Sequence, residues 1–150
     1  MKNNVPSILY ETEQDRTNQQ EAIEFLMTKW DFVAEDCSAN YPLDYICKRN
    51  KEYIAFVEVR VRTTPMNKYP TMICSLKKYK FAMEIGNLFN IPILFLCSWG
   101  CGTIAYIDMV SNEPKLGMQK VNYRDDARDI EPIVHWSVDS FTILKMPIQH

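Results

Sequence analysis

The spacing of apolar positions changes along the chain, and each change marks an element. Residues 15–30, DRTNQQEAIEFLMTKW, place apolar side chains at 22, 23, 26, 27 and 30 behind a Glu/Gln-rich start, which predicts an amphipathic helix. The period then falls to two. DFVAEDC (31–37), LDYICK (43–48) and YIAFVEVRVR (53–62) are short β-branched or aromatic runs parted by the polar breaks SANYP and RNKE, which predicts three strands in meander order. TTPMNKYP, with prolines at both ends, reads as a loop. Residues 73–89, ICSLKKYKFAMEIGNLF, return to helical spacing. At about 100° per residue, Cys74, Lys78, Phe81, Ala82, Ile85 and Phe89 share one face, opposite Lys77, Lys80, Glu84 and Asn87. Lys78 is therefore expected to point inward.

After the break at Asn90-Ile91-Pro92, IPILFLCSW is a continuous apolar strand, and GTIAYIDM is its expected antiparallel partner across the tight Gly100-Cys101-Gly102 segment. The tail from Asn112 is more polar, with a strand expected at PIVHW and a short helical turn at VDSFTIL. The order helix, three strands, helix, strand, strand predicts an α/β fold whose mixed central sheet carries a helix on each face and buries the valine side of 57–61. No repeat or linker divides residues 1–150, so one domain is expected, long enough to bury roughly 70% of its unfolded surface. MKNNVPS is polar and no apolar run reaches membrane-spanning length, so a soluble, cytoplasmic, non-exported protein without a membrane partner is expected.

Net charge is −2, which alone does not point to nucleic acid. Its distribution says more. Between Lys48 and Lys80 nine basic residues face only Glu52 and Glu58, a local +7 that leaves −9 for the remainder. A phosphate-binding face on an acidic body has this asymmetry, as would a set of solvated lysines. The five cysteines are odd in number and lack a C-x-x-C spacing, against a disulfide framework or a zinc knuckle. Cys97, Cys101 and His135 can be drawn as a metal site, but buried reduced thiols are the simpler reading.

Candidate chemistry concentrates in YIAFVEVRVR. Side chains alternate across a strand, so Val57, Val59 and Val61 share one face while Glu58, Arg60 and Arg62 share the other. An acid held beside cations on such a segment must pair, meet water or hold a ligand. Upstream stands Asp44 in YPLDYIC, and downstream Lys78 lies in the apolar stripe.

With a carboxylate on the first helix (Glu21), an aspartate opening the second strand (Asp44) and Glu58-Val59-Arg60 on the third, residues 15–97 resemble the PD-(D/E)XK nuclease superfamily. That group includes restriction endonucleases and Holliday junction resolvases. VEVRVR, YPT, SLKKY and the later RDDARDIEP before an apolar strand are similar to small phage-encoded members, which extends the resemblance to most of the chain. It implies a restriction endonuclease-like αβββαβ core and a metal-dependent nuclease acting on DNA, located in the host cytoplasm if phage-encoded. Asp44, Glu58 and the Val59 carbonyl would hold Mg²⁺, with Mn²⁺ able to substitute and Glu21 assisting from the helix; Glu24 is its rival, since helix phase does not separate them. Arg62, Lys68, Tyr69 and Lys77 become candidate DNA contacts, and a homodimer is possible by analogy.

Two positions depart from the family pattern. Leu43 separates Pro42 from Asp44, and Arg60 stands where the family has its catalytic lysine. Arginine stays protonated and transfers protons poorly. Some members move the lysine to the following helix, where this chain has Lys78. Arg60 acting alone is the competing reading, and a nuclease fold that has lost activity and only binds is the competing function. Asp125, Asp126 and Asp129 form an acidic cluster that reads as a solvated loop or a second metal site. No glycine-rich phosphate loop and no nucleophile elbow is present.

Overall fold

In the computed structural model, which describes residues 13–38, 41–120 and 130–146, the strand with the clearest alternation lies inside a six-stranded sheet. Helix α1 (Glu13–Trp30) leads into β1 (Val33–Asp36), β2 (Tyr45–Arg49) and β3 (Glu52–Val61), an antiparallel meander as expected. The β2–β3 hairpin turns on Asn50 and Lys51, both at positive φ (52° and 69°), the backbone sense that matches strand twist in a tight hairpin. Arg49 reaches back so that its guanidinium donates to the carbonyls of Trp30 and Asp31, satisfying acceptors at the C-terminus of α1.

Beyond the loop come β4 (Thr71–Ser75), α2 (Leu76–Phe89), β5 (Ile93–Ser98), β6 (Ile104–Asp108), β7 (Lys115–Lys120), β8 (Ile130–Ser137) and β9 (Thr142–Lys145). β5 pairs parallel with β3 and antiparallel with β6, giving the mixed sheet order β1-β2-β3-β5-β6-β9. On one face, α1 contributes Ala22, Ile23 and Leu26 to a core with Val57, Val59, Leu94 and Leu96, all at most 3% exposed. Each such large aliphatic contributes about 1.5–3 kcal/mol on burial. On the other face, Phe56, Phe95 and Ile107 pack in a cluster with Ala82 of α2 and with Met72, Cys74 and Trp136.

Those last three belong to a second sheet, β4-β8-β7, that the sequence reading did not anticipate. Residues 73–75 are therefore strand, not helix. Ser75 marks the change, because its extended backbone lets its Oγ accept the Lys78 N–H and cap α2. KLGMQK forms β7; of VDSFTIL, the start forms the expected helical turn at Val138–Ser140, while the end is β9, which pairs with β6 and completes the main sheet. Phe89, expected on the buried stripe, is 58% exposed beside Leu88, because the last turn of α2 reaches past the packed layer before Asn90 ends it in the left-handed conformation.

Candidate active site

Asp44 sits where β2 stops pairing with β3. Its N–H donates to the Val57 carbonyl (3.1 Å) and its carbonyl accepts from Cys37 N (2.9 Å), so its backbone is fixed from both sides. The carboxylate then takes the place of a further strand residue, with Oδ2 accepting the Val59 N–H at 2.8 Å. A strand residue sends its N–H and C=O to the same side. The Val59 carbonyl is therefore directed to the edge that Asp44 occupies.

Glu58 faces away from α1 and is 2% exposed. Its Oε2 accepts from Lys78 Nζ at 2.5 Å, while Oε1 is buried with no hydrogen-bond partner among the described residues. Lys78 stands in the first turn of α2, inward-facing as expected, with its side chain 30% exposed. Burial is the main reason the Glu58 carboxyl is raised from 4.5 to about 7. Asp44 adds to the rise, while Lys78 and then Arg60 oppose it.

A buried carboxylate oxygen without a partner is costly unless something fills its place. Two carboxylates and a backbone carbonyl at one sheet edge form a hard oxygen set of the kind that suits Mg²⁺, which keeps several waters of its own. Among the described residues no group of three His, Cys, Asp or Glu side chains converges, so a cation here would rest on Asp44, Glu58 and non-side-chain oxygens.

Arg60 and Arg62 are both half-buried, and neither makes an ion pair with a carboxylate among the described residues. Arg60 and Lys78 line a cleft of about 280 Å³ with Ser75, Gln119 and Glu131. Arg62 and Tyr69 line an adjoining cleft of about 430 Å³ that also contains Gln119. Lys68 and Lys77 are exposed and border neither cleft. Glu21 is exposed, and the charges acting on Glu58 do not include it or Glu24. Glu24 lines a separate cleft with Asp36 and Tyr45, whose hydroxyl is raised to about 12 by burial and then by Asp36, Asp44 and Glu24.

His135 is half-buried in β8 opposite Ile73, Tyr79 packs edge-on to Trp136, and no disulfide joins the five cysteines. Asp125, Asp126 and Asp129 lie outside the described residues. Gln119 and Glu131, cross-strand partners on β7 and β8, had not been singled out. The alternation of KLGMQK was the available signal.

A family model described as "Phage putative PDDEXK endonuclease" matches residues 7–144. No curated protein matches the chain by sequence. Among solved structures, the fold is similar to that of Archaeoglobus fulgidus Hjc, a Holliday junction resolvase from an archaeal hyperthermophile. That likeness has a TM-score of 0.50 at 10% identity and covers 81% of this chain and 87% of the other. Identity that low shows the restriction endonuclease-like fold alone, whereas the family model spans nearly the whole chain. The chain belongs to the phage PD-(D/E)XK endonuclease family.

Proposed function

We propose that this protein is a divalent-metal-dependent nuclease that hydrolyses phosphodiester bonds in DNA. The observation that carries this reading is the meeting of Asp44, Glu58 and Lys78 at one sheet edge, with a buried Glu58 oxygen left unbonded. Asp44, Glu58 and the Val59 carbonyl would hold Mg²⁺ or Mn²⁺, with Glu21 or Glu24 assisting only through water. Bound there, the ion would neutralise phosphate charge and activate water as the nucleophile.

The protein's own groups do the rest. The Val59 N–H fixes the Asp44 carboxylate, and burial holds Glu58 in one place. Lys78 supplies the ammonium that Arg60 cannot replace as a proton-transfer group, and it is placed to stabilise charge developing on the phosphate. Arg60 is then left to hold the phosphate as a fixed cation.

Incubating the protein with DNA in Mg²⁺, in Mn²⁺ and in chelator tests this reading. Cleavage that needs metal and is lost in Asp44→Ala and Glu58→Ala supports it. Metal-independent binding with no cleavage of any substrate would instead identify a binding module.

A further inference from the structure

Three cations, Lys78, Arg60 and Arg62, lie along two adjoining clefts that share Gln119 and Ile73. The first cleft contains the candidate active-site ammonium. The second runs between the Arg62–Thr64 segment and the start of β4, and Tyr69, 58% exposed, lines it. The floor at Trp99 is set by Gly100, whose N–H donates to the Thr64 carbonyl at 3.1 Å. One wall is the main sheet, and the other is the second sheet, which the metal-holding residues do not use.

Two features specify an occupant. Arg60 on β3 and Arg62 just past its end are close enough to repel, both half-buried; Arg60 feels only the Glu58 carboxyl at a distance, and neither arginine forms an ion pair among the described residues. Neighbouring guanidiniums of that kind are costly without an anion spaced along them. Between and beyond them the groove adds the Gln119 amide and the exposed Tyr69 ring rather than further cations, so the occupant carries flat groups as well as phosphates. A cationic groove interleaved with an aromatic is how unpaired nucleic acid is held. Base pairs would keep the base faces from Tyr69. Glu131, the one acid lining the groove among the described residues, stands beside Gln119, where it can accept from a base amino group rather than meet phosphate.

We propose that the groove from Lys78 and Arg60 past Gln119 to Arg62 and Tyr69 binds a single, unpaired DNA strand, so that the substrate is single-stranded DNA or an unpaired arm of a branched molecule. This deepens the nuclease reading and rests on it. Tyr69 stacks on a base, Gln119 contacts a base edge, and the two arginines follow the backbone toward the cleavage site.

The test measures binding in chelator, where no cleavage occurs. A labelled oligonucleotide, free or annealed into a blunt duplex, is titrated with the full chain and followed by fluorescence anisotropy. The single strand is expected to bind at least about tenfold tighter than the duplex. Tyr69→Ala or Gln119→Ala should weaken single-strand binding, roughly tenfold for the lost stacking partner, and Tyr69→Phe should restore it. Duplex binding equal to or tighter than single-strand binding, no loss in either alanine variant, or no binding of either form overturns the proposal. Metal-dependent cleavage, assayed separately, distinguishes the two readings. Asp44-dependent cutting of duplex without a single-strand preference overturns only the strand path, whereas single-strand preference without cutting overturns the nuclease.

Discussion

The Lys78 ammonium lies 2.5 Å from Glu58 Oε2, joining the first turn of α2 to the middle of β3. Arg60, two residues along the same strand, leaves that position to it. Lys78→Ala should therefore lower cleavage about 10²–10³-fold, the loss typical of removing one donor to developing charge. Metal binding should persist or tighten, because Glu58 loses a competing cation. Single-turnover rates beside calorimetric metal titration separate the two effects.

Asp44 does two jobs, since its carboxylate both faces the site and accepts the Val59 N–H. Asp44→Ala should abolish detectable cleavage and cost about 1.5–3 kcal/mol of stability in metal-free buffer, as expected for a hydrogen bond to a charged group. Asp44→Asn keeps an acceptor for Val59. It should recover most of the stability but little activity, which urea denaturation and cleavage assays will show.

Glu58 gives a pH dependence with a defined sign. Its carboxyl is raised in the folded protein from 4.5 to about 7, chiefly by burial, so the folded state binds this proton more tightly than the unfolded chain does. Its contribution to stability is full below about pH 4.5 and is lost as pH rises toward 7. A divalent cation needs the ionised form, so stabilisation by Mg²⁺ should grow over the same range with release of a proton below pH 7. Thermal melts from pH 5 to 8, with and without metal, test this, and Glu58→Gln should remove both the slope and the metal response.

Much of this was legible in the chain. The alternation of YIAFVEVRVR separated Val57 and Val59 from Glu58 and Arg60, and the 74–89 stripe turned Lys78 inward. Periodicity reports burial, however, not which backbone a residue adopts. Cys74 fitted the helical stripe by phase although it belongs to β4, and only the capping potential of Ser75 marked the boundary. β7 escaped because its alternation is short, with only Leu116 and Met118 as apolar positions around Gly117, and in the fold both are exposed, so no buried face reinforces the pattern. Gln119 and Glu131 come near Arg60 and Lys78 only through pairing of β7 with β8, a long-range relation that no local spacing encodes.

Arg62 is half-buried beside Arg60 without an acidic partner among the described residues, and its guanidinium is lowered by burial and then by Arg60. Arg62→Leu should therefore raise stability by about 0.5–1 kcal/mol, a gain of the kind seen when functional strain is relieved. It should also weaken DNA binding and reduce the salt slope by about 1. Urea melts and binding across a salt series measure both signs together.

Gly100 ties the strand end after β5 to the loop that lines the groove. A Cβ there would lie 2.1 Å from the Thr63 carbonyl oxygen and 2.8 Å from its carbon, backbone atoms that cannot rotate away. Gly100→Ala should cost about 2–3 kcal/mol through the forced shift and should loosen the Thr63–Thr64 wall. Denaturation, with amide exchange at Trp99 and Arg62, tests this.

The most direct test of the central claim is anomalous diffraction from crystals soaked in Mn²⁺. The account predicts a peak within coordination distance of both the Asp44 and Glu58 carboxylates, next to the Val59 carbonyl. A manganese ion bound elsewhere, or Glu58 still closed onto Lys78 with no ion at saturating Mn²⁺, would contradict it.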